Sequence, residues 1–147
     1  MEAAILSAAS GFRKRTACPH RSGGITCPSG DDVTQKLETR VRILEAECDV
    51  LRAMAQGTPE RRVWADGAEI LKDYAFGDAH HQLIFDALRE LSTDDPAIIR
   101  ERLPAFLNNK GFPDVDLEAI FEPHKLSAAE AVALMRALRS RASGGAR

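Results

Sequence analysis

Two cysteines and a histidine near the start of the chain are of types that could bind a metal. Cys18, His20 and Cys27 lie within ten residues of one another, and thiolates and imidazoles are ligands that zinc prefers. A structural zinc site normally has four ligands and closely spaced Cys-x-x-Cys pairs, and no fourth ligand lies nearby. A disulfide between Cys18 and Cys27 is geometrically possible, but a reducing cytosol disfavours it. We therefore expect no metal and no cofactor.

The adjacent histidines His80 and His81 are the second candidate for chemistry. Neighbouring residues on a helix point about 100° apart, so this pair is poorly placed to hold one metal and is predicted to cap or pack. The sequence has no phosphate-loop motif, no Gly-x-Ser-x-Gly motif and no His-Glu-x-x-His motif. The chain is therefore predicted not to be an enzyme. A solvated helix face accounts for the nearby carboxylates, which are Asp73, Asp78, Asp86 and Glu90.

The elements that position these side chains are predicted to be helices. Of the 147 residues 44% are hydrophobic, yet only Trp64, Tyr74 and six Phe are aromatic. A core of Leu, Ile, Val and Ala suits helix packing better than a β-sandwich. No stretch shows a sustained alternation of apolar and polar residues. The fold is predicted to be all-α, a compact bundle of five or six helices with disordered N- and C-terminal tails.

The first helix is predicted to run from about Asp32 to Gly57. Its apolar residues follow at spacings of 4, 3, 4, 3 and 4, which is an amphipathic helix with a heptad phase. The seam 37–55 is predicted to pack within the domain in preference to forming a dimer. Cys48, which lies on it, is expected to be a small buried hydrophobe. The seam consists of Leu37, Val41, Leu44, Cys48, Leu51 and Ala55.

Further helices are predicted along the rest of the chain. Pro104 removes a backbone donor inside the fourth helix, so a kink or break is expected near Arg102–Leu103. A second helix is predicted over about 60–73, with Gly67 inside it, and a third is predicted to be capped by Asp78. A fourth is predicted from Pro96 to Gly111 and a fifth over 114–121. A sixth is predicted to start at the capping box of Ser127 and Glu130.

Charge is unevenly distributed along the chain. Residues 1–30 carry 4 − 1 = +3, residues 136–147 carry +4, and residues 31–135 carry 12 − 21 = −9. An acidic body repels a phosphate backbone, so nucleic acid is expected to be contacted only indirectly or through the basic tails. The predicted domains are a disordered basic segment 1–31, a helical domain 32–139 and a flexible basic tail 140–147. No signal peptide or membrane span is expected, which predicts a cytoplasmic protein.

Two stretches resemble, in order, motifs of the N-terminal domain of DnaB-type replicative DNA helicases. Residues 44–51, Leu-Glu-Ala-Glu-Cys-Asp-Val-Leu, resemble its "L-E-A-E-x-x-V-L" opening. Residues 76–91 resemble its "F-Y-x-x-x-H-x-x-I-F-x-A-x-x-x-L" helix. The similarity covers roughly residues 41–111. The motif residues are Leu44, Glu45, Glu47, Val50, Leu51, Phe76, His81, Ile84, Phe85, Leu88 and Leu91.

The resemblance implies an all-helical docking domain for primase and for helicase loaders, in which His81 and Phe85 belong to the core and are not catalysts. The family's ATP hydrolysis belongs to a following motor domain. This sequence departs from the family in lacking the proline before the first motif, in Pro104, and in ending at Arg147 without a motor. The last departure puts helicase activity in doubt.

Two hypotheses of function follow from the sequence. The first is a stand-alone module of the primosome, resembling the DnaB N-terminal domain, which docks on a primase-like or helicase-like protein in DNA replication and works by binding. Self-association is left open. The alternative is a small coiled-coil dimeric regulator whose basic tails contact nucleic acid. The least favoured hypothesis is a metal-dependent enzyme that uses Cys18, His20 and Cys27.

Overall fold

A computed structural model describes residues 30–144, which form six helices and, within that range, no strand. This confirms the prediction of an all-α bundle. The predictions for residues 1–29 and 145–147, among them the zinc ligands and the Cys18–Cys27 disulfide, lie outside the described residues. The helices are α1 (Gly30–Gln56), α2 (Trp64–Ile70), α3 (Ala79–Leu91), α4 (Pro96–Asn109), α5 (Glu118–Phe121) and α6 (Ala128–Gly144).

The C-terminal half of α1 is the centre of the bundle, and the other five helices pack around it. Val50, Leu51 and Met54 are fully or almost fully buried there. Gly57 ends the helix with a φ of 74°, in the left-handed region that glycine adopts without strain. The seam therefore packs within the domain over this half, as predicted.

The N-terminal half of α1 differs from the prediction. Leu37 and Val41 belong to the predicted seam, but their side chains are exposed because no other helix of the described chain extends over them. Cys48 is only partly buried and was wrongly predicted to be a buried hydrophobe. It lies at the margin of the core, where the covered part of the seam begins.

Helix α2 is shorter than the predicted span 60–73, because the chain before it is held in a turn. The Thr58 amide donates to the Arg61 carbonyl at 3.0 Å, and the Thr58 hydroxyl donates to the same oxygen at 2.9 Å. Gly67 is buried inside α2, where it faces Met54 of α1. A Cβ at Gly67 would lie 2.5 Å from the Met54 sulfur, so glycine allows the two helices to approach closely.

Aspartates cap α3 and α4, as the sequence predicted for α3. Asp78 accepts from the amides of His80 and His81, and Asp95 accepts from the amide of Ala97. Pro96 occupies the first turn of α4, and Gly111 follows its end with a φ of 88°.

Of the expected kink or break near Arg102–Leu103, the break does not occur, because α4 continues through Pro104 to Asn109. Pro104 lies on the exposed side of the helix. Leu103 and Leu107 are buried, and they hold the helical turns around Pro104 against the core. The missing amide hydrogen bond is therefore tolerated within a packed helix.

Polar bonds join α5 to α1. The Arg52 guanidinium donates to the Ala119 carbonyl at 2.5 Å, and the Gln56 amide donates to the Ile120 carbonyl at 2.7 Å. Helix α5 begins at Glu118, four residues after the predicted start, because Asp116 first accepts from the Glu118 amide in a turn. These bonds hold a helix of only four residues in place.

Helix α6 begins with the predicted capping box. The Ser127 amide donates to the Glu130 carboxylate at 2.9 Å, and the Glu130 amide donates to the Ser127 hydroxyl at 3.3 Å. The helix runs to Gly144, so residues 140–144, predicted to be part of the flexible tail, are helical. None of the helices in residues 30–144 combines the length and apolar character needed to cross a membrane.

Candidate functional site

A buried carboxylate lies where α1 meets the start of α3. Glu47 is the one charged side chain among the fully buried residues of the described range. Its Oε1 accepts hydrogen bonds from the Tyr74 hydroxyl at 2.7 Å and from the Gly77 amide at 2.7 Å. Its Oε2 lies 2.9 Å from Nδ1 of His81. Three donors from two other segments thus satisfy a carboxylate that would otherwise be costly to bury.

His81 is placed by the cap of its own helix. Asp78 fixes the first turn of α3 by accepting from the His81 amide at 3.2 Å, and the ring then points back toward α1. Hydrogen bonds with the Cys48 thiol and with the Glu47 carboxylate raise the pKa of His81 to about 9. The imidazole is therefore protonated at neutral pH.

The charge of Glu47 is maintained against its burial. Burial raises the pKa of Glu47, but the hydrogen bonds from His81, Gly77 and Tyr74 outweigh that effect and leave the pKa below its ordinary value. The pKa of Tyr74 is raised by burial and by the same carboxylate, so its phenol keeps its proton and donates it. At pH 7 the cluster is a carboxylate–imidazolium pair with a neutral phenol.

The hydrogen bonds and the ion pair of this arrangement connect segments of the chain. Neither Glu47 nor His81 changes its protonation near pH 7, whereas a general acid or base works best with a pKa near the working pH. Both carboxylate oxygens already accept hydrogen bonds from protein groups. The cluster ties α1 to the loop before α3 and to α3 itself. A cavity of about 210 Å³ adjoins it, lined in part by Ile43, Glu47, Tyr74, Gly77, Leu138 and Arg141.

The structure brings residues 44–51 and residues 76–91, the first and second halves of the motif set, into contact. From the first half Val50 and Leu51 are buried, Leu44 is half-buried and Glu45 is exposed. From the second half Ile84, Phe85 and Leu88 are buried, while Phe76, His81 and Leu91 are partly buried. The ring centroids of Phe76 and Phe85 lie 5.1 Å apart. Glu47 and His81, one from each half, form the polar contact between them.

Sequence reasoning missed Tyr74 and Gly77 as partners of Glu47. One signal was available. Glu47 lies three residues after Leu44 and four before Leu51, which places a carboxylate on the apolar side of α1. Such a residue needs donors from elsewhere in the chain, but its own position does not identify them.

A second surface feature is a groove between α3 and α4. It has a volume of about 210 Å³, and Phe112 at its edge keeps 42% of its surface exposed. The Lys110 ammonium donates to both oxygens of Glu90 at 2.7 Å and so closes one part of the rim. The groove is lined by Leu83, Asp86, Ala87, Glu90, Phe106, Leu107, Lys110 and Phe112.

The remaining candidates from the sequence are not brought together as a site. His80 is exposed, and Asp78 is occupied as a helix cap. Asp86 is half-buried and accepts from the side chain of Gln82 at 3.2 Å. Within residues 30–144 no group of three or more His, Cys, Asp or Glu side chains could hold a metal ion.

Comparison of the chain with protein-family models, with curated proteins and with solved structures finds no match.

Proposed function

We propose that this chain is a cytoplasmic protein-interaction module that resembles the N-terminal domain of DnaB-type replicative helicases. It docks on a primase, a helicase loader or a replicative helicase in DNA replication, and it acts by binding. The observation that carries the proposal is the contact between Glu47 and His81. These are polar residues of two motifs that are separated along the chain, and they lie 2.9 Å apart.

The helical order also supports the proposal. The first motif lies in the buried half of α1, and the second spans α3 and the residues just before it. Val50, Leu51, Ile84, Phe85 and Leu88 meet in one core. A docking domain needs such a rigid body to present its surface, since a preorganised surface loses less entropy on binding.

The described surface has two properties that suit docking. The groove between α3 and α4 has apolar walls and the exposed Phe112 at its edge, which is the form that helix-in-groove recognition uses. Residues 31–135 carry a net charge of −9, so a partner with a basic face would be steered toward them. We propose that the partner inserts an apolar anchor, flanked by basic residues, into this groove.

Direct binding tests the proposal. The full chain is titrated by calorimetry with a purified replicative helicase, a loader and a primase. We expect one of them to bind with a dissociation constant of roughly micromolar or tighter, with affinity that falls as salt rises. Phe112→Asp is expected to weaken that binding at least about tenfold, because a charge replaces an apolar contact.

The matched control is Leu37→Asp, which places the same charge on an exposed apolar site of α1, away from the groove. It should leave partner binding unchanged. Absence of binding to all three proteins at about 50 µM, by a chain shown to be folded by circular dichroism, would overturn the proposed function.

A further inference from the structure

The N-terminal half of α1 exposes a row of aliphatic side chains. Val33, Leu37 and Val41 recur every four residues and keep 48%, 59% and 53% of their surfaces exposed. With Phe112 they are the large exposed hydrophobic residues of the described chain. Single exposed aliphatics are ordinary, but a contiguous apolar row on one helix marks an interaction surface.

Within the described chain this side of α1 is uncovered over the N-terminal half of the helix. Leu44 is half-buried, and Cys48 hydrogen-bonds with His81 of α3, so cover by the bundle begins there. Leu51, on the same side, is fully buried. From Val33 to Leu44 the row is about 17 Å long at the rise of an α-helix. The bundle packs against the C-terminal half of α1, which leaves room for a second helix beside the N-terminal half.

The heptad phase of the sequence is that of a two-stranded pair. In that phase Val41 occupies an a position, and Leu37 and Leu44 occupy d positions. Among parallel coiled coils, Val at a with Leu at d favours two strands, because β-branched side chains pack well at the a layer of such pairs.

The charges beside the row favour a parallel direction. Arg40 occupies a g position, and Glu45 occupies the e position of the next heptad. In a parallel, in-register pair, each Arg40 lies beside Glu45 of the second copy, twice by symmetry. An antiparallel pair would instead bring the e positions together and so place Glu38 and Glu45 against like charges.

We propose that the free face of α1, formed by Val33, Leu37, Val41 and Leu44, binds the same face of a second copy of this chain in a parallel, in-register homodimer. The dimer goes beyond the docking function and does not depend on it. Because the contact spans only about two heptads, its dissociation constant is expected in roughly the micromolar range.

Sedimentation equilibrium of the full chain tests the dimer. The wild-type chain should sediment as a monomer–dimer mixture. The double variant Leu37→Asp, Val41→Asp should weaken association at least about 100-fold, because each dimer would bury four carboxylates against apolar neighbours. Its circular dichroism and thermal midpoint as a monomer should stay unchanged, since both side chains are exposed in one chain. Phe112→Asp, the matched control on the groove, should leave the dimer intact.

Charge exchange tests the direction of the pair. Arg40→Glu and Glu45→Arg should each weaken association on the order of tenfold, and the double variant should restore it. Both side chains are exposed, so the single variants should remain folded. A wild-type chain that is monomeric up to about 100 µM would overturn the proposal, as would a double variant that associates no better than the single ones.

Discussion

Oε2 of Glu47 lies 2.9 Å from Nδ1 of His81, and this contact joins the central helix to the first turn of α3. The carboxylate is fully buried and the imidazole ring is largely covered. Because a buried charge is stable only with a partner, the position of each side chain depends on the other.

Replacement of Glu47 by Gln is expected to lower the free energy of unfolding by about 3 kcal/mol or more, because the imidazolium then loses its buried counter-charge. Urea denaturation at pH 7 measures the change. Glu45→Gln is the matched control, since Glu45 is exposed on the same helix two residues earlier, and it should change stability by less than about 0.5 kcal/mol. Equal effects of the two substitutions would contradict the role assigned to Glu47.

The stability of the wild-type chain should fall between about pH 6.5 and pH 9. The folded-state pKa of His81 is raised to about 9 from an ordinary value of 6.5. Its contribution is therefore fully present below pH 6.5 and is lost as the pH rises through 9. Unfolding free energies measured across this range should fall for wild type and stay flatter for His81→Gln.

Titration of the His81 ring by NMR gives an independent check. The Cys48 thiol, the Glu47 carboxylate and the Asp78 carboxylate all act to raise the pKa of His81. Cys48→Ala should therefore lower that pKa, and Glu47→Gln should lower it too. If the His81 ring of the wild-type chain titrated at its ordinary value of 6.5, these three contacts would not stabilise the imidazolium.

At low pH the Glu47–His81 ion pair should be lost because Glu47 gains a proton. The pKa of Glu47 lies below its ordinary value of 4.5, so its contribution is present above that value and is lost as the pH falls through the folded-state pKa. Acid unfolding followed by circular dichroism should begin at a higher pH in Tyr74→Phe, which lacks one of the three donors. Identical acid midpoints in the two chains would contradict this.

Tyr74→Phe should also cost about 2 kcal/mol of stability at pH 7. The substitution keeps the ring, whose centroid lies 5.0 Å from that of Phe76, and removes only the hydroxyl that donates to Glu47. A hydrogen bond to a charged group contributes about 1.5–3 kcal/mol. In Glu47→Gln the same substitution should cost much less, and a double-mutant cycle measures that difference. Additive effects would count against a direct bond.

Gly67→Ala should destabilise the protein by about 1–3 kcal/mol, although alanine favours helices over glycine by about 1 kcal/mol. The added Cβ would lie 2.5 Å from the sulfur of Met54, whose side chain is 1% exposed and has little room to move. In a Met54→Ala background the same substitution should be neutral or stabilising. Thermal unfolding of the four chains measures the coupling.

Much of the secondary structure followed from short-range patterns. Helix spacing predicted α1, α3 and α4, and the caps at Asp78 and Ser127 are bonds between residues within three positions of each other. Such contacts form wherever the local chain is helical, so a single stretch of sequence contains the information. Pro104 does not break α4, because its local cost is small beside the burial of Leu103 and Leu107.

The polar cluster and the free face of α1 depended on tertiary structure. Tyr74 and His81 reach Glu47 across 27 and 34 residues of chain, and nothing near Glu47 in sequence identifies them. Leu37 and Leu51 have the same place in the heptad, yet one is exposed and the other buried. Periodicity tells which side of a helix is apolar. Whether that side is covered depends on where the rest of the chain packs, and this is decided only when the helices assemble.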